Sequence, residues 1–207
     1  MFNFLPLAIT TSRWETWVWM DYRLGVLFTV ALPLLLLIWA FVKKSEAIQR
    51  LLIIYWRVSS LLAITVYLMI AAVPISFLTS LISRILIPIS LWFWVDLNEE
   101  IRELRNSPLK ASFTSWRWAV TIHNLIGTAI QIPFVVCAFK SRNELLNDPF
   151  CNVWLDPPWL FKQIFHPDWP QEFIGFLGFS GLIIYTIFLC YFVLVKLQRQ
   201  GRSATGS

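Results

Sequence analysis

Long apolar runs restrict what this chain can fold into more than any other feature. Leu24–Val42 is uncharged and is closed by Lys43 and Lys44, and Phe173–Val195 is closed by Lys196 and Arg199. A run of about 18 or more apolar residues is long enough to cross the hydrocarbon core of a bilayer. Three further runs have the same character. Leu51–Val73 is interrupted only by Arg57. A third ends at Val95, before a charged stretch that begins at Asp96, and starts between Ile75 and Leu81. The fourth, from about Trp116 to Phe139, is the most polar, with Arg117, His123, Asn124 and Gln131. Composition agrees: 57% of residues are hydrophobic and 14% charged, against roughly 45–50% and 25% in soluble domains.

These runs predict an all-α polytopic transmembrane bundle of about five spans, at 24–42, 51–73, 77–95, 116–139 and 173–195 within a unit 24–195. Backbone groups in lipid must be satisfied inside the span, which selects helices or closed barrels. The alternating segments of about ten residues that mark a barrel do not occur. Leu51 to Val95 is nearly continuous, with Pro74 as its clear break. It reads as a hairpin turning near Val73–Ser80, with one long broken helix or a re-entrant third segment as the alternative.

Residues 1–23 are expected to form an external interfacial segment, with Phe4, Leu5, Leu7 and Ile9 followed by Trp14, Trp17 and Trp19 along the membrane surface. The polar tail 196–207 is expected to be disordered. Basic residues favour the side holding Lys43, Lys44, Arg50, Arg102, Arg105, Lys110, Lys196, Arg199 and Arg202 over the side holding Arg13, Arg23, Lys140, Arg142 and Lys162. Under the positive-inside rule this predicts an external or lumenal N-terminus and a cytoplasmic C-terminus. The paired strings WVWMD (Trp17–Asp21) and WFWVD (Trp92–Asp96) read as interfacial aromatic belts beside polar caps.

Intramembrane polar groups are the first place to look for function. Arg57 lies close enough to the cytoplasmic end of its span to snorkel. Arg84 sits near mid-membrane if its span starts at Ile75, or reaches the outer headgroups if the span starts near Ser80; the second is preferred. No Asp or Glu falls inside a predicted span. A deep Arg84 would therefore need backbone carbonyls, Asn124, Gln131, a lipid phosphate or a partner's acid. The missing carboxylate also argues against a coupled transporter. His123 could ligate a chlorophyll magnesium, which needs one axial ligand, or serve simply as a hydrogen-bonded packing residue; the second is preferred.

No P-loop, GxGxxG, HExxH or GxSxG string is present, so no catalytic residue is assigned and the chain is read as non-enzymatic. No metal set is assigned either. The loop 140–172 is rich in Pro and Trp and is expected to be turn-rich and stiff. Trp154, Asp156, Trp159, His166 and Trp169 mark it as a candidate partner-docking surface, whereas Asp156, His166 and Asp168 are too scattered for a defined metal motif. Cys137 and Cys151 could pair on an oxidising side, but three free thiols are the preferred reading. The stretch 96–115 reads as a short charged helix with an ion pair such as Glu99–Arg102, ended at Asn106-Ser107-Pro108.

Met20–Ile70, Arg84–Ile101 (RILIPISLWFWVDLNEEI), Phe113–Val120 (FTSWRWAV) and Trp154–His166 (WLDPPWLFKQIFH) resemble a cyanobacterial family of integral membrane proteins of unknown function. The resemblance covers nearly the whole chain except the first dozen residues and the tail. It implies a photosynthetic organism and a thylakoid or plasma membrane, and it transfers no activity. In that setting the chain is expected to be an accessory subunit or assembly factor of a photosynthetic or respiratory complex. A small-molecule or ion transporter, or a pigment- or lipid-binding protein, is the alternative. Membrane lipids and a membrane protein complex are the expected partners, with no nucleic acid; no cofactor is expected, with chlorophyll or lipid as the alternative.

Overall fold

The computed structural model describes residues 5–204, and side chains for 14–198 and 201–204. The described chain is helical, and no strand occurs among its described residues. The first span is one continuous column: α1 (Leu5–Gly25), a π segment (Val26–Ala31) and α2 (Leu32–Val42). A turn at Lys43–Ser45 leads to α3 (Glu46–Ile70), and Ala71–Ile75 turns the chain into α4 (Ser76–Trp92). The expected hairpin is thus present, and α3 and α4 pack side by side. After a 56° bend follows α5 (Val95–Glu103), then α6 (Pro108–Gln131), which tightens into a 3-10 segment (Ile132–Phe139). Helices α7 (Arg142–Asn147), α8 (Pro149–Asn152) and α9 (Asp156–Phe165) form the long loop. Helix α10 (Gln171–Tyr191) runs through a second π segment (Phe192–Lys196) into α11 (Leu197–Gln200).

Four of these columns are long and apolar enough to cross a membrane, and α4 with α5 makes a fifth if that bent pair is one span. The boundaries differ from the sequence reading for identifiable reasons. The fourth column starts at Pro108, well before Trp116, because the Ser107 side chain caps it by accepting from the Lys110 amide at 3.2 Å and proline suits a first helical position. The same chemistry corrects the turn-rich loop. Its prolines open α8 and α9, Asp148 accepts from the Phe150 amide at 3.0 Å to start α8, and Ser141 and Glu144 form a capping box on α7. The Glu144 carboxyl is held below its ordinary range by hydrogen bonds from Ser141.

The expected interfacial segment 1–23 is revised where it is described. Nothing breaks the helix between Trp14 and Leu24, so α1 feeds straight into the first span; the side chains of Phe4, Leu5, Leu7 and Ile9 lie outside the described residues. The expected disorder of the tail is also revised up to residue 204. Arg202 Nε donates to the Phe93 carbonyl at 3.1 Å, and the Ala204 amide donates to Asp96 at 2.8 Å.

Proline placement explains how the first span grips its neighbours. Pro33 has no N–H, so the π segment before it is left short of one helical donor. Tyr55 of α3 donates to the Thr29 carbonyl through its hydroxyl at 2.7 Å, and Trp116 of α6 donates to the adjacent Phe28 carbonyl at 2.8 Å. At the periphery α10 packs on α3 through Gly175, Gly178 and Gly181. A Cβ at Gly175 would lie 2.7 Å from that of Ala71, and one at Gly178 would lie 3.0 Å from the Leu68 amide nitrogen. Small residues of this kind let two backbones approach where lipid offers no hydrophobic drive.

Cys137 and Cys151 form a disulfide with 5.8 Å between Cα atoms, which corrects the preference for three free thiols; Cys190 is free and exposed. Sequence could not supply the proximity, which arises because α7 turns the chain back and Lys140 pairs with Asp148. Trp154 packs beneath the bridge with Phe134 and Leu155. Closing a loop of 14 residues is worth about 3 kcal/mol in the chain-entropy account. Cys137→Ser with Cys151→Ser is therefore expected to lower the thermal midpoint in detergent, and reductant is expected to do the same to the parent. Unchanged midpoints in both would show that packing alone fixes the loop.

Candidate functional site

The polar residues converge where α1, α4 and α6 meet. Arg84 lies eight residues into α4, or roughly 12 Å along a helix rising 1.5 Å per residue. It is 8% exposed. Its guanidinium grips the Asp21 carboxylate with both terminal nitrogens, one of them at 3.2 Å from Oδ1. The preferred snorkelling of Arg84 is thereby corrected, as is the statement that no acid lies within a span. A first span that begins at Leu24 leaves Asp21 outside it. Continuation of α1 carries it inward, on the face that looks toward α4.

Gly127 of α6 is what makes room for this pair. A Cβ there would collide with the Arg84 guanidinium, and would stand 3.4 Å from Asp21 Oδ1. On the same helix, His123 places Nε2 3.8 Å from Asp21 Oδ1, beyond hydrogen-bond reach. Its ring lies 5.8 Å from that of Phe28. One arginine, one carboxylate and one imidazole from three helices therefore share a single locus.

Beside it, α1 and α6 enclose a groove of about 410 Å³ with Asp21 and His123 on its wall. That size falls within the roughly 300–1,000 Å³ of small-molecule sites. Its other walls are mostly apolar, including Trp17, Ile122 and Ile126, which are also about half exposed on the outer surface of the bundle. The groove thus opens sideways. Trp154 closes one end; it is 6% exposed, and its indole N–H has no hydrogen-bond partner among the described residues.

The other candidates fall elsewhere. Gln131 accepts from the Ser80 hydroxyl at 3.0 Å, and Asn124 donates back to the Val120 carbonyl at 2.7 Å, so neither serves Arg84. Arg57 is exposed on α3, apart from this locus. In the long loop, Trp159 donates to the Ile70 carbonyl at 3.1 Å, and His166 meets the Tyr67 hydroxyl at 2.9 Å while stacking on Trp169. Trp154 and Trp159 thus fasten the loop to its own bundle, and Trp169 is the tryptophan of the candidate set left exposed. Among the described residues no three His, Cys, Asp or Glu groups gather to hold a metal, so Asp156, His166 and Asp168 do not converge. Burial, and then the nearby Glu15 carboxylate, push the Asp156 carboxyl up. Asp21 and Gly127 escaped the sequence reading. The available signal for Asp21 was the unbroken helical run from Trp14 into Leu24, together with an arginine in need of a counter-charge.

Fold and site define an all-helical polytopic bundle of membrane type, organised around an internal ion pair beside a lateral groove. The chain belongs to the family described as protein of unknown function (DUF3177), whose model matches residues 15–205. No curated protein and no solved structure matches it.

Breaking a buried pair from one side costs about 3–5 kcal/mol, whereas replacing both charges by apolar groups can be nearly neutral. Asp21→Asn is therefore expected to destabilise strongly, and Asp21→Leu with Arg84→Met is expected to recover most of the loss, both read by thermal unfolding in detergent. An Asp21→Asn protein as stable as the parent would mean that the pair is solvated. At the loop, a raised carboxyl pKa favours the protonated folded state, so its contribution to stability is present at low pH and lost as pH rises through the folded value. Asp156→Asn is expected to remove that loss and flatten the acid-to-neutral stability profile; an unaltered profile would place Asp156 in water.

Proposed function

We propose that this chain is a non-enzymatic integral membrane protein that holds a lipid-like amphiphile in the groove between α1 and α6. The carrying observation is the combination of an apolar, laterally open groove of about 410 Å³ with polar groups confined to one site on its wall. A ligand with one polar end and one apolar body matches that distribution. Pockets of this kind use apolar walls for affinity and a few placed polar groups for orientation. Chlorophyll fits less well than lipid, because Asp21 Oδ1 stands 3.8 Å from the His123 nitrogen that would serve as axial ligand and obstructs the approach of a flat macrocycle to it.

A transporter regains, in Asp21, the intramembrane acid that the sequence reading denied it, but mostly apolar walls suit an amphiphile better than a hydrated ion. The accessory-subunit reading is favoured by a separate observation. Helix α10 turns Phe176, Phe179, Ile187 and Phe188 outward, more than half exposed, a face that suits a neighbouring helix as well as lipid. The disulfide supports an orientation with the 140–172 loop and N-terminus on the oxidising, external or lumenal side. The resemblance noted above supports a cyanobacterial thylakoid or plasma membrane as the setting.

The test is purification of the full chain from native membranes in mild detergent, followed by solvent extraction, mass spectrometry and an absorption scan. One amphiphile retained near equimolar ratio is expected, and Ala119→Phe, which fills the groove wall, is expected to release it. An extract that merely mirrors bulk lipid, identical for both proteins, would overturn the proposal.

A further inference from the structure

The groove's electrostatics select among amphiphiles by headgroup. Asp21 and Arg84 cancel one another within their ion pair, so the locus carries no net charge while His123 is neutral. A charged head brought into a low-dielectric site stays there only if a counter-charge meets it. Arg84 is already committed to Asp21 and stands behind Gly127 rather than on the groove wall. A carboxylate or phosphate would therefore face the Asp21 carboxylate first. An ammonium would have to displace Arg84 from its acid.

What the wall does offer is an acceptor and a donor at a definite spacing. Asp21 Oδ1 and His123 Nε2 lie 3.8 Å apart, too far to bond each other. One oxygen atom can sit at hydrogen-bond distance from both, since such bonds span about 2.7–3.0 Å. A hydroxyl is the group that can donate to the carboxylate and accept from the imidazole N–H at once.

From this placement we infer that the groove is selective for a neutral membrane lipid with a free hydroxyl, its headgroup bridging Asp21 Oδ1 and His123 Nε2 and its chain lying along Trp17, Ile122 and Ile126. The inference rests on the groove being a ligand site, as proposed above, and adds the chemistry of its occupant. Membrane lipid is the source the architecture favours, because the opening lies on the side of the bundle between two exposed helix faces.

Three probes with one tail and different heads decide it: monooleoylglycerol (neutral, hydroxyl), oleate (anionic) and oleylamine (cationic). Each is added to the full-length chain in detergent, and retention is read by native mass spectrometry. Retention of monooleoylglycerol in preference to both others is expected. His123→Leu is expected to weaken it about tenfold, the equivalent of one hydrogen bond of about 1.4 kcal/mol, and His123→Gln, which keeps a donor, is expected to restore it. Equal or better retention of oleate or oleylamine by the parent overturns the headgroup assignment while leaving the groove as a ligand site. Retention of no probe, or equal retention of all probes by Ala119→Phe, overturns the groove itself. Should His123→Leu fail to fold, the order of the three heads on the parent still decides.

Discussion

A guanidinium buried among packed helices is costly unless a counter-charge stands beside it, and Arg84 meets that condition through Asp21. The pairing fixes much else. Asp21 reaches α4 only if α1 continues as a helix into the first span, and the two side chains fit only where α6 presents Gly127. Three helices are thereby held in one register by a single interaction. Leu and Ile contacts alone would leave that register loosely specified, since lipid tails solvate such side chains about as well as protein does.

The remaining polar contacts follow the same economy, each satisfying a group that the helix geometry leaves open. Pro33 removes one helical donor from the turn before it, where the Thr29 carbonyl receives Tyr55 and the neighbouring Phe28 carbonyl receives Trp116. Spans one, two and four are thus joined by two aromatic side chains that are apolar over most of their surface and polar at one atom. Between α3 and α4 the Thr65 and Thr79 hydroxyls meet at 2.9 Å, and Ser80 reaches Gln131 on α6. These bonds cost no net charge in hydrocarbon, which is why hydroxyls and an amide appear at helix contacts where lysines do not.

The spans were legible in the sequence because twenty-residue apolar runs closed by lysine have few other readings, and the α3–α4 hairpin was legible because Pro74 interrupts an otherwise continuous run. The site was half legible. Arg84 and His123 stood out as polar residues in apolar surroundings. Asp21 did not, since hydropathy alone assigned it to the headgroups beside Trp17 and Trp19, and only the continuity of α1 moves it inward. Gly127 was invisible for a different reason: the space it provides belongs to Arg84, 43 positions earlier. The disulfide likewise depended on a reversal made by α7, whose capping box was present as Ser141 and Glu144 but was masked by the expectation that a proline-rich loop lacks helices.

The loop and the groove are parts of one arrangement. Cys151 is tied to Cys137 at the end of the fourth span, and three residues later Trp154 turns inward to pack on Phe134, with ring centroids 5.2 Å apart. Trp14 of the first span meets the same phenylalanine at 5.2 Å. The two tryptophans that line one end of the groove are therefore positioned by a cluster that the disulfide anchors. Asp21 and His123, further along the groove, are positioned instead by the buried ion pair and its glycine. A covalent bond fixes the wall nearest the loop, and electrostatics fix the polar site within the bundle. Between these two rigid supports lie Trp17, Met20, Ile122 and Ile126, the exposed side chains that face outward. The groove is thus bounded by half-exposed apolar side chains on its outer side and by buried, ion-paired chemistry at its polar site.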